Sequence, residues 1–112
     1  MQPRHWLLTC LAAWLLCPLA TPPAHAADAT GGTIVMAKDF MFGPTSLTIK
    51  AGSTVTWTNH DEEPHTVVSD TGLFRSGALD TNESFSFRFD KSGTYHYACS
   101  IHPRMVGTII VQ

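Results

Sequence analysis

Cysteine is scarce in this chain. Two of its three cysteines, Cys10 and Cys17, fall in an N-terminal stretch that reads as a leader, and only Cys99 lies beyond it. A lone thiol has no partner for an intramolecular disulfide, so sulfur cannot be stapling the fold. Long apolar runs are missing too. The longest, Trp6 to Leu16, is interrupted by Thr9 and Cys10 and is shorter than the roughly 20 residues a helical membrane span needs. Basic charge is also in deficit, with 7 Lys and Arg against 9 Asp and Glu. That balance argues against nucleic acid and against an anionic membrane surface as partner. Helical periodicity is absent as well, because no stretch past the leader repeats its apolar residues at three and four.

The N-terminus has the three parts of a secretory signal. Arg4 and His5 precede the apolar run, Pro18, Pro22 and Pro23 interrupt any helix, and Ala24-His25-Ala26 offers small residues at a cleavage site. Residues 1–26 are therefore expected to be a signal peptide and residues 27–112 one small domain, exported and soluble in the periplasm. A lipoprotein anchored at Cys17 is the alternative. Leu16 fits it poorly, since the residue before a lipidated cysteine is normally small.

Beyond the leader the pattern has a period of two. Thr33 to Ala37, Leu47 to Ile49 and Ser53 to Asn59 read as strands, as do His65 to Val68, Phe85 to Phe89, Thr94 to Cys99 and Val106 to Gln112. Gly52 and Gly93 mark turns between them. Seven to eight short strands in one domain predict an all-β sandwich of two sheets. The stretch from Asp70 to Glu83 reads as the long irregular connection, with Leu73, Phe74 and Leu79 as its core-facing pegs. Trp57 reads as core.

The run CSIHPRM, Cys99 to Met105, carries the chemistry. Cys99 ends a strand on its inward face, and His102 and Met105 follow at steps of three before the next strand begins. Such a short loop holds a thiolate, an imidazole and a thioether close to one point. His65, placed after the stiff Pro64, is the candidate fourth donor. Two imidazoles, a thiolate and a weak axial thioether are the ligand set of a blue-copper electron-transfer site. Soft sulfur suits Cu(I), and imidazole serves both oxidation states. Zinc would use the thiolate and imidazoles but has little use for Met105.

With these residues in view, the chain resembles the cupredoxins, and most closely the amicyanin-like and plastocyanin-like small blue copper proteins. The resemblance rests on FGPTSLTIKAGSTVTWTN (Phe42 to Asn59), EPHTV (Glu63 to Val67) and GTYHYACSIHPRMVGTIIV (Gly93 to Val111). The short C-x-x-H-P-x-M spacing favours the amicyanin-like label. The resemblance implies a Greek-key sandwich with one copper ion at one end, cycling between Cu(I) and Cu(II). It implies equatorial ligands His65, Cys99 and His102, and Met105 as the axial ligand. It further implies that Asn59 ties the two ligand-bearing loops together, and that Pro103 stiffens the loop and forms part of an apolar rim through which His102 reaches the surface. Redox proteins, such as a c-type cytochrome or a periplasmic dehydrogenase, are the implied partners of a monomeric carrier.

The remaining candidates take simpler readings. His96 alternates away from Cys99 and should face outward. His60 and the acidic run Asp61-Glu62-Glu63 read as a solvated loop, with steering of a basic partner as the run's other reading. Met36 and Met41 read as gap-fillers in a core or edge cluster, not as thioether ligands. A copper carrier for homeostasis or oxidase assembly would use the same ligands as an electron carrier and stays open at this point. A multicopper enzyme does not, since only His60, His65, His96 and His102 lie beyond the leader and a second, histidine-rich copper site cannot be built from the remaining two.

Overall fold

The computed structural model describes residues 33–112; the expected leader and the domain start at residue 27 lie outside the described residues. Eight strands form: β1 (Thr33–Lys38), β2 (Met41–Gly43), β3 (Ser46–Ile49), β4 (Ser53–Asn59), β5 (Val68–Ser69), β6 (Ser84–Phe89), β7 (Gly93–Ala98) and β8 (Val106–Val111). They make two four-stranded sheets, ordered β2-β1-β4-β6 and β3-β8-β7-β5. The all-β sandwich expected from the alternating pattern is the fold observed. The chain crosses between sheets repeatedly, so β1 lies parallel to β4 and β3 parallel to β8, while the other pairings are antiparallel.

Alternation fills the space between the sheets. Val35 and Ala37 from β1, Val55 and Trp57 from β4, Phe89 from β6, Tyr97 from β7 and Ile109 and Val111 from β8 are all buried. Trp57 is the hub: Phe74 stacks on it at 5.5 Å and Tyr97 meets it nearly perpendicular at 5.4 Å. The same period of two continues beyond this apolar layer. It delivers Asn59 in phase with Trp57 and Cys99 in phase with Tyr97, both fully buried at the same end of the sandwich. The site is thus an extension of the core pattern with polar residues at its last positions.

Several expectations are corrected. Leu73 is half exposed and does not peg the long connection; Phe74 and Leu79 do, both buried. Of the core and edge placements read for Met41, the structure shows the edge one, since it lies on the short edge strand β2 and is 64% exposed. The strand expected from His65 to Val68 shrinks to Val68–Ser69. His65 instead makes an isolated bridge to Leu79. The reason is packing: the long connection folds back along this segment and takes up its backbone hydrogen bonds.

Candidate metal centre

The His65 side is built from the end of β4. Asn59 Nδ2 donates to the carbonyls of Glu63 and Leu79, each at 2.8 Å, and Asn59 Oδ1 accepts the Asp61 N–H at 2.8 Å. The chain therefore turns tightly over residues 59–63, and Pro64 leads it into His65. His65 exchanges two backbone hydrogen bonds with Leu79, at 3.1 and 2.7 Å. Its ring is fully buried. Its Nε2–H donates to Asp61 Oδ2 at 2.8 Å. A buried carboxylate accepts only, so it fixes the tautomer and leaves Nδ1 with a free lone pair.

Asp61 is the residue that sequence reasoning missed. It was expected in a solvated loop, yet only 6% of it is exposed. Its carboxylate also accepts the backbone N–H groups of Asp39 and Phe40, at 2.7 and 3.0 Å. Burial alone would raise its pKa; the hydrogen bonds from Phe40, His65 and Asp39 outweigh that and hold it below the usual carboxylate range. The only sequence signal was its place four residues before His65. Glu62 and Glu63 are exposed, as expected.

The other side is the loop after β7. It is closed by two backbone hydrogen bonds at 2.9 Å, from Cys99 N–H to the Met105 carbonyl and from Met105 N–H to the His102 carbonyl. Met105 is buried at the end of this loop, Pro103 is exposed on its rim, and His102 is half-buried. Cys99 is a free, buried cysteine. Thr66 N–H donates to its Sγ at 3.3 Å and the Thr66 hydroxyl at 3.8 Å. Burial would push this thiol up. The hydrogen bonds from Thr66 N–H, His102, Ile101 N–H and the Thr66 hydroxyl prevail and bring it down to about 6.

Thr66 also joins the two sides. Its hydroxyl pairs with the Ser100 hydroxyl at 2.8 Å and accepts the Ser100 N–H at 2.8 Å. Thr66 therefore links the two sides, and the side-chain hydrogen bonds of Asn59 organise the His65 side. His96 faces outward as expected, its Nδ1 3.1 Å from the Thr108 hydroxyl.

Three donor atoms converge between the two sides. His65 Nδ1 and His102 Nδ1 are 3.2 Å apart, and Cys99 Sγ is 4.0 Å from the first and 3.6 Å from the second. A point in the plane of this triangle is about 2.1 Å from all three atoms, near the metal–nitrogen and metal–sulfur bond lengths of about 2.0–2.1 and 2.3 Å. The triangle has the size that one first-row metal ion needs. His65, Cys99 and His102 are the metal-capable cluster found among the described residues. Phe40 closes one flank, its ring nearly perpendicular to both imidazoles, with centroids 5.3 Å from His65 and 4.9 Å from His102.

Comparison with known proteins places this arrangement. A Cupredoxin-like domain model matches residues 7–111. Plastocyanin from Scenedesmus fuscus is 45% identical over 85 residues, covering 64% of this chain and 87% of its own. Amicyanin-alpha from Methylorubrum extorquens is 37% identical over 92 residues, covering 73% of each chain. Amicyanin from Paracoccus denitrificans is 33% identical over 100 residues, covering 85% of this chain and 76% of its own. Among solved structures, a purple cupredoxin from Nitrosopumilus maritimus superposes with a TM-score of 0.67 at 34% identity, over 71% of this chain and 99% of that one. The Cu(I) form of an amicyanin mutant gives a TM-score of 0.70 at 30% identity, over 73% and 83%. With its sandwich and its model match nearly end to end, the chain belongs to the cupredoxin-like family.

Proposed function

We propose that the protein is a one-electron carrier of the periplasm. It would hold a single type 1 copper ion on His65, Cys99 and His102, with Met105 as a weaker fourth donor. The observation that carries this reading is the convergence of two imidazole Nδ1 atoms and one thiol Sγ on a point at bonding distance from all three. Copper held there supplies one-electron chemistry by cycling between Cu(II) and Cu(I). The residues supply the rest. Asp61 fixes the donor tautomer of His65, and Thr66 favours the thiolate of Cys99. Pro64 and Pro103 stiffen the chain beside the two imidazole donors, and Asn59 holds the turn that leads to His65. Donors fixed in advance keep the rearrangement small when an electron moves.

His102 gives the site its edge. It is half-buried and sits among the exposed Phe40, Ile101 and Pro103, an apolar rim suited to brief contact with a redox partner. A c-type cytochrome or a periplasmic dehydrogenase is the partner class this implies, with the carrier acting as a monomer. The exposed Glu62 and Glu63 would steer a basic partner. The leader at residues 1–26 and the periplasmic address belong to the same reading. Its support is the relationship to amicyanin-alpha and amicyanin. No helix among the described residues is long and apolar enough to cross a membrane.

The test is the visible spectrum of the purified metal-free protein after addition of Cu(II). An intense blue or purple thiolate band is expected. A folded protein that stays colourless with its thiol free would overturn the assignment. A copper-delivery protein could use the same donors, but the full burial of Cys99 and His65 favours retention. Rapid stripping of the reduced protein by a Cu(I) chelator would reverse that preference.

A further inference from the structure

Asp39 and Phe40 form the two-residue connection between β1 and β2, and both have positive φ, 53° and 58°. A tight hairpin of this kind favours Asn-Gly or Asp-Gly, because both central residues are left-handed. Asp39 suits the first position. Phe40 does not suit the second, where an L side chain crowds its own carbonyl and glycine is the unstrained choice. Burial does not account for the phenylalanine, since 47% of it remains exposed. The strained turn is held from outside, by the Asp61 carboxylate accepting both N–H groups. That carboxylate also holds His65. The result is a ring standing at 83° to each imidazole, while the two imidazoles lie 5.0 Å apart at 68°. Three rings thus pack edge to face around one side of the donor triangle.

We propose that Phe40 is a positioning residue of the metal centre, holding the imidazole of His102, and secondarily that of His65, in its donor orientation through perpendicular ring contacts. The inference rests on the copper reading above. His65 has Asp61 behind it. His102 sits on the rim, where its Nδ1 meets His65 and Cys99 and its ring meets Phe40. An edge-to-face contact restricts rotation of the imidazole without occupying its donor atom. The chain tolerates backbone strain where glycine would relieve it, and strain retained beside a site is the signature of a local requirement.

The test compares the purified wild type with Phe40→Gly and Phe40→Tyr. Three quantities are read: the visible band of the copper form, the rate at which a Cu(I) chelator strips the reduced form, and the melting temperature of the metal-free form. Phe40→Gly should shift and weaken the band and speed stripping by about tenfold, the scale of two aromatic edge contacts. Its metal-free melting temperature should hold or rise, because relief of the strained turn offsets the lost ring. Phe40→Tyr keeps the ring and should match the wild type within about twofold in stripping rate. An unchanged band and stripping rate in Phe40→Gly would overturn the proposal. So would a clear fall in the metal-free melting temperature of Phe40→Gly, which would make Phe40 an ordinary packing residue. A colourless wild type would instead sink the copper reading itself, and that is seen before any variant is made.

Discussion

The two imidazole donors sit in opposite kinds of surroundings. His65 is fully buried, bridged to Leu79 by two backbone hydrogen bonds, and held at its far nitrogen by a buried carboxylate. His102 is half-buried on a loop closed by two backbone hydrogen bonds, with exposed residues on both sides. One donor is part of the scaffold and the other is part of the surface. A carrier needs both: a wall that fixes the geometry, and an edge thin enough for an electron to leave. The division follows from chain order. His65 precedes the long connection that folds over it, whereas His102 lies in a short turn that leads directly into β8.

Removing each ring in turn gives the largest expected contrast. His65→Gly leaves a closed hole and strips the buried Asp61 carboxylate of a partner, a loss of about 3–5 kcal/mol. His102→Gly should cost the metal-free protein about 1 kcal/mol or less, because its site already opens to solvent. Added imidazole should restore the visible band to His102→Gly and not to His65→Gly. Denaturant melts and imidazole titrations of the two variants check this. Equal costs, or equal rescue, would erase the distinction between the two donors.

Asp61 offers the next test, on the buried side alone. Asp61→Ala leaves three donors without their acceptor: the N–H groups of Asp39 and Phe40, and His65 Nε2–H. The expected loss is about 3 kcal/mol in urea, more than any exposed acidic residue of the same loop should show. Glu62→Gln is the matched control and should stay within about 0.5 kcal/mol. If the two variants behave alike, the carboxylate is not organising the site.

Asp61 also marks where the sequence stopped being legible. Alternation exposes the strands because burial on one face imposes a period of two. It carried Trp57, Tyr97 and Cys99 to their observed inward positions. The donor loop was legible because its spacing is local, three residues at a time. Asp61 was not, since an aspartate reads as loop until the β1–β2 turn arrives from 22 residues away to donate to it. Phe40 was hidden for the same reason: its partners are His65 and His102, both distant in sequence. Strand β2 escaped notice because three residues are too few to establish a period. What is set by neighbours along the chain could be read; what is set by neighbours across the fold could not.

The smallest expected effect tests the residue whose hydrogen bonds join the two sides. The Thr66 hydroxyl accepts the Ser100 N–H, pairs with the Ser100 hydroxyl and lies 3.8 Å from Cys99 Sγ, while the Thr66 N–H donates to the same sulfur. Thr66→Val keeps the shape and the N–H but removes the hydroxyl. The cost should be about 1 kcal/mol. The thiol should respond more clearly than the stability. In the metal-free wild type Cys99 ionises at about 6, below the roughly 8.5 of a free thiol. A folded-state pKa depressed in this way contributes stability that is fully present above the unfolded value and is lost as pH falls through the folded one. The metal-free protein should therefore lose stability from about pH 8.5 down through about pH 6. In Thr66→Val the thiolate absorbance should titrate at a higher midpoint, still short of the free value because the backbone N–H remains. A midpoint that does not move would assign the depression to the backbone and to His102 alone, and Thr66 would then be a clasp between the two sides and nothing more.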